Sequence, residues 1–228
     1  FKPTVGLLPR THIVPISNSQ DTPGPMTRTV RDAAIMMTIM AGSDPADEAT
    51  KPADAHSVDF ASQLDTDSLK GARLGILWFH TDWCTGPQLS AFERNLEALR
   101  QAGAELVDIR TFSGMEEIHN DELKVLLHEL KRDMNAYLHT LPDDDGPMSI
   151  EEVIAFNSSN ADREMPYFGQ EFFEMAAATS DEDDAAYRLA RKRNLEATGL
   201  NGIDRLMADN NVIALIAPTT GPAFEITL

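Results

Sequence analysis

The sequence predicts an α/β fold: a mixed sheet containing a parallel βαβ unit, covered by helices. Three observations carry that expectation. Arg73-Leu-Gly-Ile-Leu-Trp78 and Glu105-Leu-Val-Asp-Ile109 are short apolar runs of strand type. Residues 87–102 between them place apolar side chains at helical spacing and stop at Gly103. Two strands joined through a helical crossover run parallel, because a tight turn joins only antiparallel neighbours. Finally, 228 residues of which 42% are hydrophobic suffice for one large domain or two small ones.

The remaining elements follow in chain order. After a Pro- and Gly-rich opening, Thr29-x-x-Asp32 has the form of a helix-capping box. Val30, Ala33, Ala34, Met37, Ile39 and Met40 then give a helix that ends at Gly42. Being apolar nearly all round, this helix is expected to be deeply buried. Residues 43–69, with Asp44-Pro45, Lys51-Pro52 and scattered acids, are expected to be a connecting loop. Leu123, Leu126, Leu127, Leu130, Met134, Tyr137 and Leu138 fall on one helical face, and Pro142 with Asp143-Asp-Asp-Gly146 ends that run. Ser149-x-x-Glu152 caps a shorter helix through Ile154 and Phe156, and Ser180-x-x-Asp183 opens the last long one. The acids from Asp181 to Asp184 sit where a helix N-terminus favours negative charge, so they need no functional reading. These helices are expected to form a layer against the sheet. Tyr167, Phe168, Phe172 and Phe173 are expected to cluster around Gly169-Gln170. Val212-Ile-Ala-Leu-Ile216 reads as a final strand ending in Ala217-Pro-Thr-Thr-Gly-Pro222. Ligands of open α/β sheets gather beyond the carboxyl ends of strands, which draws attention to that turn.

A net charge of −18, from 37 acidic against 19 basic residues, argues against a nucleic-acid partner, since phosphates reward clustered Lys and Arg. No apolar run approaches the ~20 residues of a membrane-spanning helix. The lone Cys84 rules out an internal disulfide framework. A cytoplasmic address fits this composition.

Standard catalytic patterns are absent: no Gly-x-Ser-x-Gly elbow, no phosphate-binding glycine loop and no His-Glu-x-x-His. His80 and Cys84 lie four apart in a loop-like stretch. They lack two further ligands for a metal, and Cys84 as a thiolate nucleophile lacks a helix N-terminus or basic neighbour. Packing of Cys84 beside Trp78, Phe79 and Trp83 is the reading preferred here. In so acidic a chain the spacing of carboxylate pairs carries little information. No cofactor or metal site is expected.

A set of separated residues carries more. Lys2-Pro-Thr4, Gly6, Pro15, Ser17, Ser19, Asp21, Gly24-Pro25, Arg28 and Asp32 resemble the segment that follows the nucleophile in the amidase signature family. Asp44-Pro45, Leu69-x-Gly71-x-Arg73-Leu-Gly75, Glu129-x-Lys131, Asn135-x-Tyr137-Leu138, Ile154-x-Phe156-Asn157, Tyr167-Phe-Gly-Gln170, Tyr187 and Ala217-Pro-Thr219 extend the resemblance over essentially the whole chain. Residues 1–228 then resemble the carboxyl-side portion of an amidase domain, with 43–69 a loop within it. One departure stands out: His12 occupies a place where the family commonly has glycine.

The resemblance implies hydrolysis of a small-molecule carboxylic amide, without a cofactor, by a serine, cis-serine and lysine triad. The lysine, kept neutral by its surroundings, acts as base, and backbone N–H groups receive the oxyanion. In the family's order all three triad residues precede Phe1, so none of the catalytic residues is expected in this chain, which alone is expected to be inactive. The opening block would then buttress the active site, with Asp21 and Arg28 as a pair holding its turns. Tyr167, Phe168, Gln170, Pro218 and Thr219 are the candidate substrate-binding residues, aromatic walls with a few polar groups; core packing is the structural alternative for the aromatics. Self-association through exposed apolar surface is also expected, giving a homo-oligomer. Two other readings remain open here: an amidotransferase subunit feeding ammonia to a partner chain, and a non-catalytic ligand-binding domain.

Overall fold

The computed structural model describes residues 1–112, 115–142, 146–180 and 183–219. Its elements, in chain order, are α1 (Val30–Met40), β1 (Arg73–Leu77), α2 (Gly86–Gln101), β2 (Glu105–Ile109), α3 (Met115–Leu138), α4 (Ile150–Ser159), α5 (Ala161–Glu164), α6 (Glu171–Ala177), α7 (Asp184–Leu195), α8 (Asp204–Asn210) and β3 (Ala214–Ile216). A π-helical stretch, Glu196–Ile203, links α7 to α8. Two compact units result: Phe1–Leu64 with Leu123–Asp184, and Asp65–Glu122 with the chain from Ala185 onward. The boundary at Leu64 falls inside the expected 43–69 loop, whose regular structure is confined to short 3-10 turns at Glu48–Thr50 and Ala53–Ala55.

The second unit contains the βαβ unit. Strands run in the order β2-β1-β3, and β1 pairs parallel to both neighbours, Arg73 opposite Glu105 and Leu74 opposite Ala214. Among the described residues the three strands of the sheet are parallel, as the βαβ unit implies. Leu74, Gly75 and Ile76 are buried in succession, as a central strand covered on both faces requires. Gly75 sits where Ile109 and Leu215 of the flanking strands meet: a Cβ there would lie 2.8 Å from Ile109 Cδ1 and 2.9 Å from Leu215 Cδ2. Ile76, Phe92 and Leu96 pack together, with Trp78 edge-on to Phe92. Thr85 starts α2 by donating its N–H to Gln88 Oε1 at 3.0 Å. Arg193 grips the buried Asp121 through two bonds, Nε to Oδ2 at 2.5 Å and Nη2 to Oδ1 at 2.6 Å.

The first unit closes a core of its own. Leu130, Met134 and Leu138 of α3 pack on Ile150 of α4 and Ala176 of α6, with Phe173 partly buried against them. That core is built from helices alone. Ser149 caps α4 by accepting the Glu152 N–H at 3.2 Å, and Thr29 caps α1 by accepting the Asp32 N–H at 3.1 Å.

Two expectations about burial are corrected. Only Ala34 and Met37 of α1 are buried, while Val30 and Ile39 are 73% and 77% exposed. Local apolarity cannot create a covering surface, and the described residues supply one for a single narrow stripe of this helix. Tyr167, Phe168 and Phe172 likewise stand in solvent rather than in an aromatic cluster. The Asp143-Asp-Asp helix stop, Asp181 and Glu182 of the acidic run, and Thr220-Gly-Pro222 lie outside the described residues.

The opening block forms one tight knot. The Phe1 N–H donates to Pro25 O at 2.8 Å. A Cβ on Gly24 would come within 1.9 Å of Phe1 O, so only glycine allows the two turns to touch. Replacing Gly24→Ala is therefore expected to cost about 1–3 kcal/mol of stability as the backbone is forced apart; urea unfolding followed by circular dichroism measures it, and an unchanged midpoint contradicts the close approach.

Candidate functional site

Residues 16–21 lie outside any helix or strand, so their backbone N–H groups must find acceptors elsewhere. Four in a row find carboxylates. Ile16 and Ser17 donate to Asp21 Oδ2, each at 2.8 Å; Asn18 donates to Asp133 Oδ2 at 2.8 Å; Ser19 donates to Glu129 Oε2 at 3.0 Å. Gln20 and Asp21 then donate to Ser17 O. Glu129, 1% exposed, also accepts the Ser17 hydroxyl at 2.5 Å and the Ser19 hydroxyl at 2.9 Å. An acceptor of so many N–H and O–H groups is a carboxylate in its ionised form.

Cations balance this gathering of acids. Arg10 donates to Asp47 through Nε at 2.8 Å, Nη2 at 2.6 Å and its backbone N–H at 3.0 Å, and its Nη1 donates to Asn18 O. The pair is nearly buried, and the Arg10 guanidinium holds the Asp47 carboxyl below its ordinary range while Asp47 holds the Arg10 proton more firmly. Arg132 donates to both oxygens of Asp133, at 2.7 and 3.1 Å. Asp21, expected to pair with Arg28, does not do so among the described residues: its bonded oxygen is occupied by two N–H groups, and Arg28 is exposed. His12 takes φ +67°, the left-handed conformation that glycine adopts freely and other residues adopt at a cost.

Other residues of the resemblance also hold elements together. Lys131 Nζ donates to Ala177 O at 2.8 Å and Thr179 O at 2.9 Å, receiving the free carbonyls at the end of α6. Asn135 Oδ1 accepts the Ile150 N–H at 2.8 Å at the start of α4. Gln170, a candidate substrate contact, spends its amide on α4: Oε1 accepts from Asn157 Nδ2 at 3.1 Å, and Nε2 donates to Ser158 Oγ at 3.0 Å and Ile154 O at 3.3 Å. Tyr167 and Phe168 are exposed beside it in the first unit. Pro218 and Thr219 belong to the second unit, beyond β3, half-buried and exposed respectively. The His80 ring packs on Phe79 with centroids 4.8 Å apart, and no hydrogen bond joins it to Cys84 among the described residues. No group of three or more His, Cys, Asp or Glu able to hold a metal occurs among those residues, and no described helix is long and apolar enough to cross a membrane.

Sequence reasoning missed the role of Glu129 and passed over Asp133. A signal existed: Asp121, Val125, Glu129 and Asp133 recur at intervals of four along α3 and are all buried, one stripe of a helix carrying three acids. Acids on a buried stripe require partners.

Comparison with known proteins places this architecture. The family described as Amidase matches residues 1–227. A probable amidase of Arabidopsis thaliana is 35% identical over 224 residues, 95% of this chain and 41% of that protein. The native peptide amidase from Stenotrophomonas maltophilia superposes with a TM-score of 0.86 at 38% identity, over 98% of this chain and 45% of that one. One subunit of the glutamyl-tRNA(Gln) amidotransferase of Rhodospirillum rubrum is 40% identical over 110 residues, 48% of this chain and 21% of its own length. The chain belongs to the amidase family, as the resemblance implied, and spans less than half the length of these relatives.

Two outcomes follow from the carboxylate cage. Glu129→Ala is expected to destabilise the chain by about 3 kcal/mol, because it strands donors from both serines, and to speed hydrogen exchange at Ser17 and Ser19 selectively; uniform exchange across α3 instead would contradict the local tether. For Asp47, whose pKa is depressed in the folded state, the stabilisation is fully present above the unfolded value of about 4 and is lost as pH falls through the folded value. Asp47→Asn should therefore cost about 3 kcal/mol at pH 7 by leaving Arg10 buried and unpaired. The gap to the unsubstituted chain should narrow on acidification below about pH 4, as read by urea unfolding at several pH values.

Proposed function

We propose that this chain is part of a serine-dependent amidase that hydrolyses a linear carboxylic amide to acid and ammonia or amine. The observation that carries this is the match to a peptide amidase along 98% of the chain at 38% identity. The nucleophilic serine, the cis-serine and the lysine base belong to a segment outside these 228 residues, so the chain alone is inactive and supplies scaffold. The cage around residues 16–21 keeps the block that follows the nucleophile rigid, and the reaction needs no cofactor. In the first unit Tyr167, Phe168 and Gln170 are the substrate-binding residues, with Gln170 setting the 167–170 turn on α4 through its amide bonds and the two exposed aromatics meeting the substrate's apolar part; Pro218 and Thr219 of the second unit keep the assignment that the resemblance implies. The protein works in the cytoplasm on small-molecule amides, and peptide amides head the substrates to test.

A second reading, in which the parent protein feeds ammonia to a partner chain as part of an amidotransferase, is favoured by the relative from Rhodospirillum rubrum. That similarity reaches about half the chain, against 95% for the plant amidase, so the free-standing amidase is preferred.

Ammonia release from a panel of peptide and simple amides tests the proposal. The 228-residue chain alone is expected to show none, and the longer protein containing it to show turnover that is abolished when its nucleophilic serine becomes alanine. Turnover by the chain alone overturns the placement of the triad; a longer protein that is silent without a partner chain and glutamine points to the amidotransferase reading. In the active protein, Tyr167→Ala with Phe168→Ala should raise KM several-fold while kcat changes less.

A further inference from the structure

A cavity of about 430 Å³ lies within the first unit, between the 10–21 loop, Ala46-Asp47 and the last turns of α3. Its size falls among those of small-molecule sites, roughly 300–1,000 Å³. Ile13, Pro15, Ala136 and the ring of Tyr137 give it an apolar wall. Its charges are mostly cancelled in place. Asp47 is bound by Arg10 and Asp133 by Arg132, and the Arg10 side-chain nitrogens are committed to Asp47 and Asn18 O, leaving no guanidinium edge for an anion. Asp21 is different. Both hydrogen bonds it accepts go to Oδ2, no close salt bridge engages it among the described residues although the Arg10 charge acts on it through space, and its Oδ1 accepts no hydrogen bond among them. The Tyr137 hydroxyl also has no hydrogen-bond partner among those residues, and His12 and Asn18 stand at the rim.

We propose that this cavity binds a small ligand bearing a primary ammonium group on an apolar body. An ammonium donates to Asp21 Oδ1 and lies against the Tyr137 ring face, where a cation is attracted by the ring quadrupole, while the body covers Ile13 and Pro15. An anion is repelled by the Asp21 carboxylate and finds the Arg10 nitrogens already committed to Asp47 and Asn18 O, and a neutral molecule forgoes the charge-assisted bond to Asp21 Oδ1. A metal ion finds a single open carboxylate oxygen, too few donors for a hard cation. The residues named here as lining the cavity belong to this chain, so the test below reads binding without requiring amidase activity.

Titration of the 15N-labelled 228-residue chain with three probes of matched shape tests the proposal: phenethylammonium, 2-phenylethanol and 3-phenylpropionate. The ammonium is expected to shift the amide signals of Ile13, Asn18 and Tyr137 saturably, at least tenfold more tightly than the alcohol, and the carboxylate to give no saturable shift there. Asp21→Asn should weaken the ammonium about tenfold. Asp21 also supports the Ile16 and Ser17 N–H groups, so two variants leave that support intact: Tyr137→Leu should weaken binding several-fold, and Ala136→Lys, a fixed cation in the wall, should abolish it. Equal affinity for the three probes, preference for the carboxylate, shifts located elsewhere, no saturable shift with the ammonium, or unchanged binding by Ala136→Lys each overturns it.

Discussion

The run of N–H groups from Ile16 to Asp21 is the constraint around which the first unit is organised. A loop that passes against a helix cannot leave such groups without acceptors, since each unpaired buried N–H costs about 1–3 kcal/mol. This chain meets the demand with carboxylates, one from the loop itself and two from α3, more than a hundred residues away. Collecting that much negative charge has its own cost, and Arg10 and Arg132 offset it by closing on Asp47 and Asp133. The loop, the acids and the arginines are therefore one electrostatic assembly, and none of its members has its observed environment without the others.

The polar residues on which the resemblance rested play a common part in the first unit. Glu129, Lys131, Asn135, Asn157 and Gln170 each put a polar side chain onto the backbone or side chain of a different segment. They do so at helix ends and in turns, where carbonyls and N–H groups have no partner within their own element. Polar residues fixed in this way specify where segments meet, whereas the apolar core of Leu130, Met134, Leu138, Ile150 and Ala176 supplies most of the driving force.

What was legible in the sequence divides along the same line. The βαβ unit was readable because strand, crossover and parallel register are local consequences of periodicity, and Glu105–Ile109 appears with the bounds expected of it. The caps at Thr29 and Ser149 were equally local. Burial was not: α1 has an apolar composition all round, yet which faces are covered depends on segments packed against it, and no pattern within residues 30–40 contains that information. The contacts of Glu129 and Asp133 were hidden for the same reason, since a carboxylate bound by backbone donors looks in sequence like any solvated acid. The interval of four that puts both on a buried stripe was the trace that remained. Of the candidate substrate residues, Tyr167 and Phe168 were recognised as aromatic while their exposure was not, and the full engagement of the Gln170 amide could not have been read from its neighbours in sequence.

The stripe of α3 also gives that helix the character of a ruler. Each residue turns the helix by roughly 100°, so one inserted between Val125 and Glu129 would swing Glu129 and Asp133 away from the loop together, while Asp121 kept its hold on Arg193. The spacing of side chains along this helix is thus a quantity that evolution can vary only in whole turns or not at all, and an indel there is a heavier lesion than any single replacement. Surface positions of the same helix are free to drift; its residue count is not.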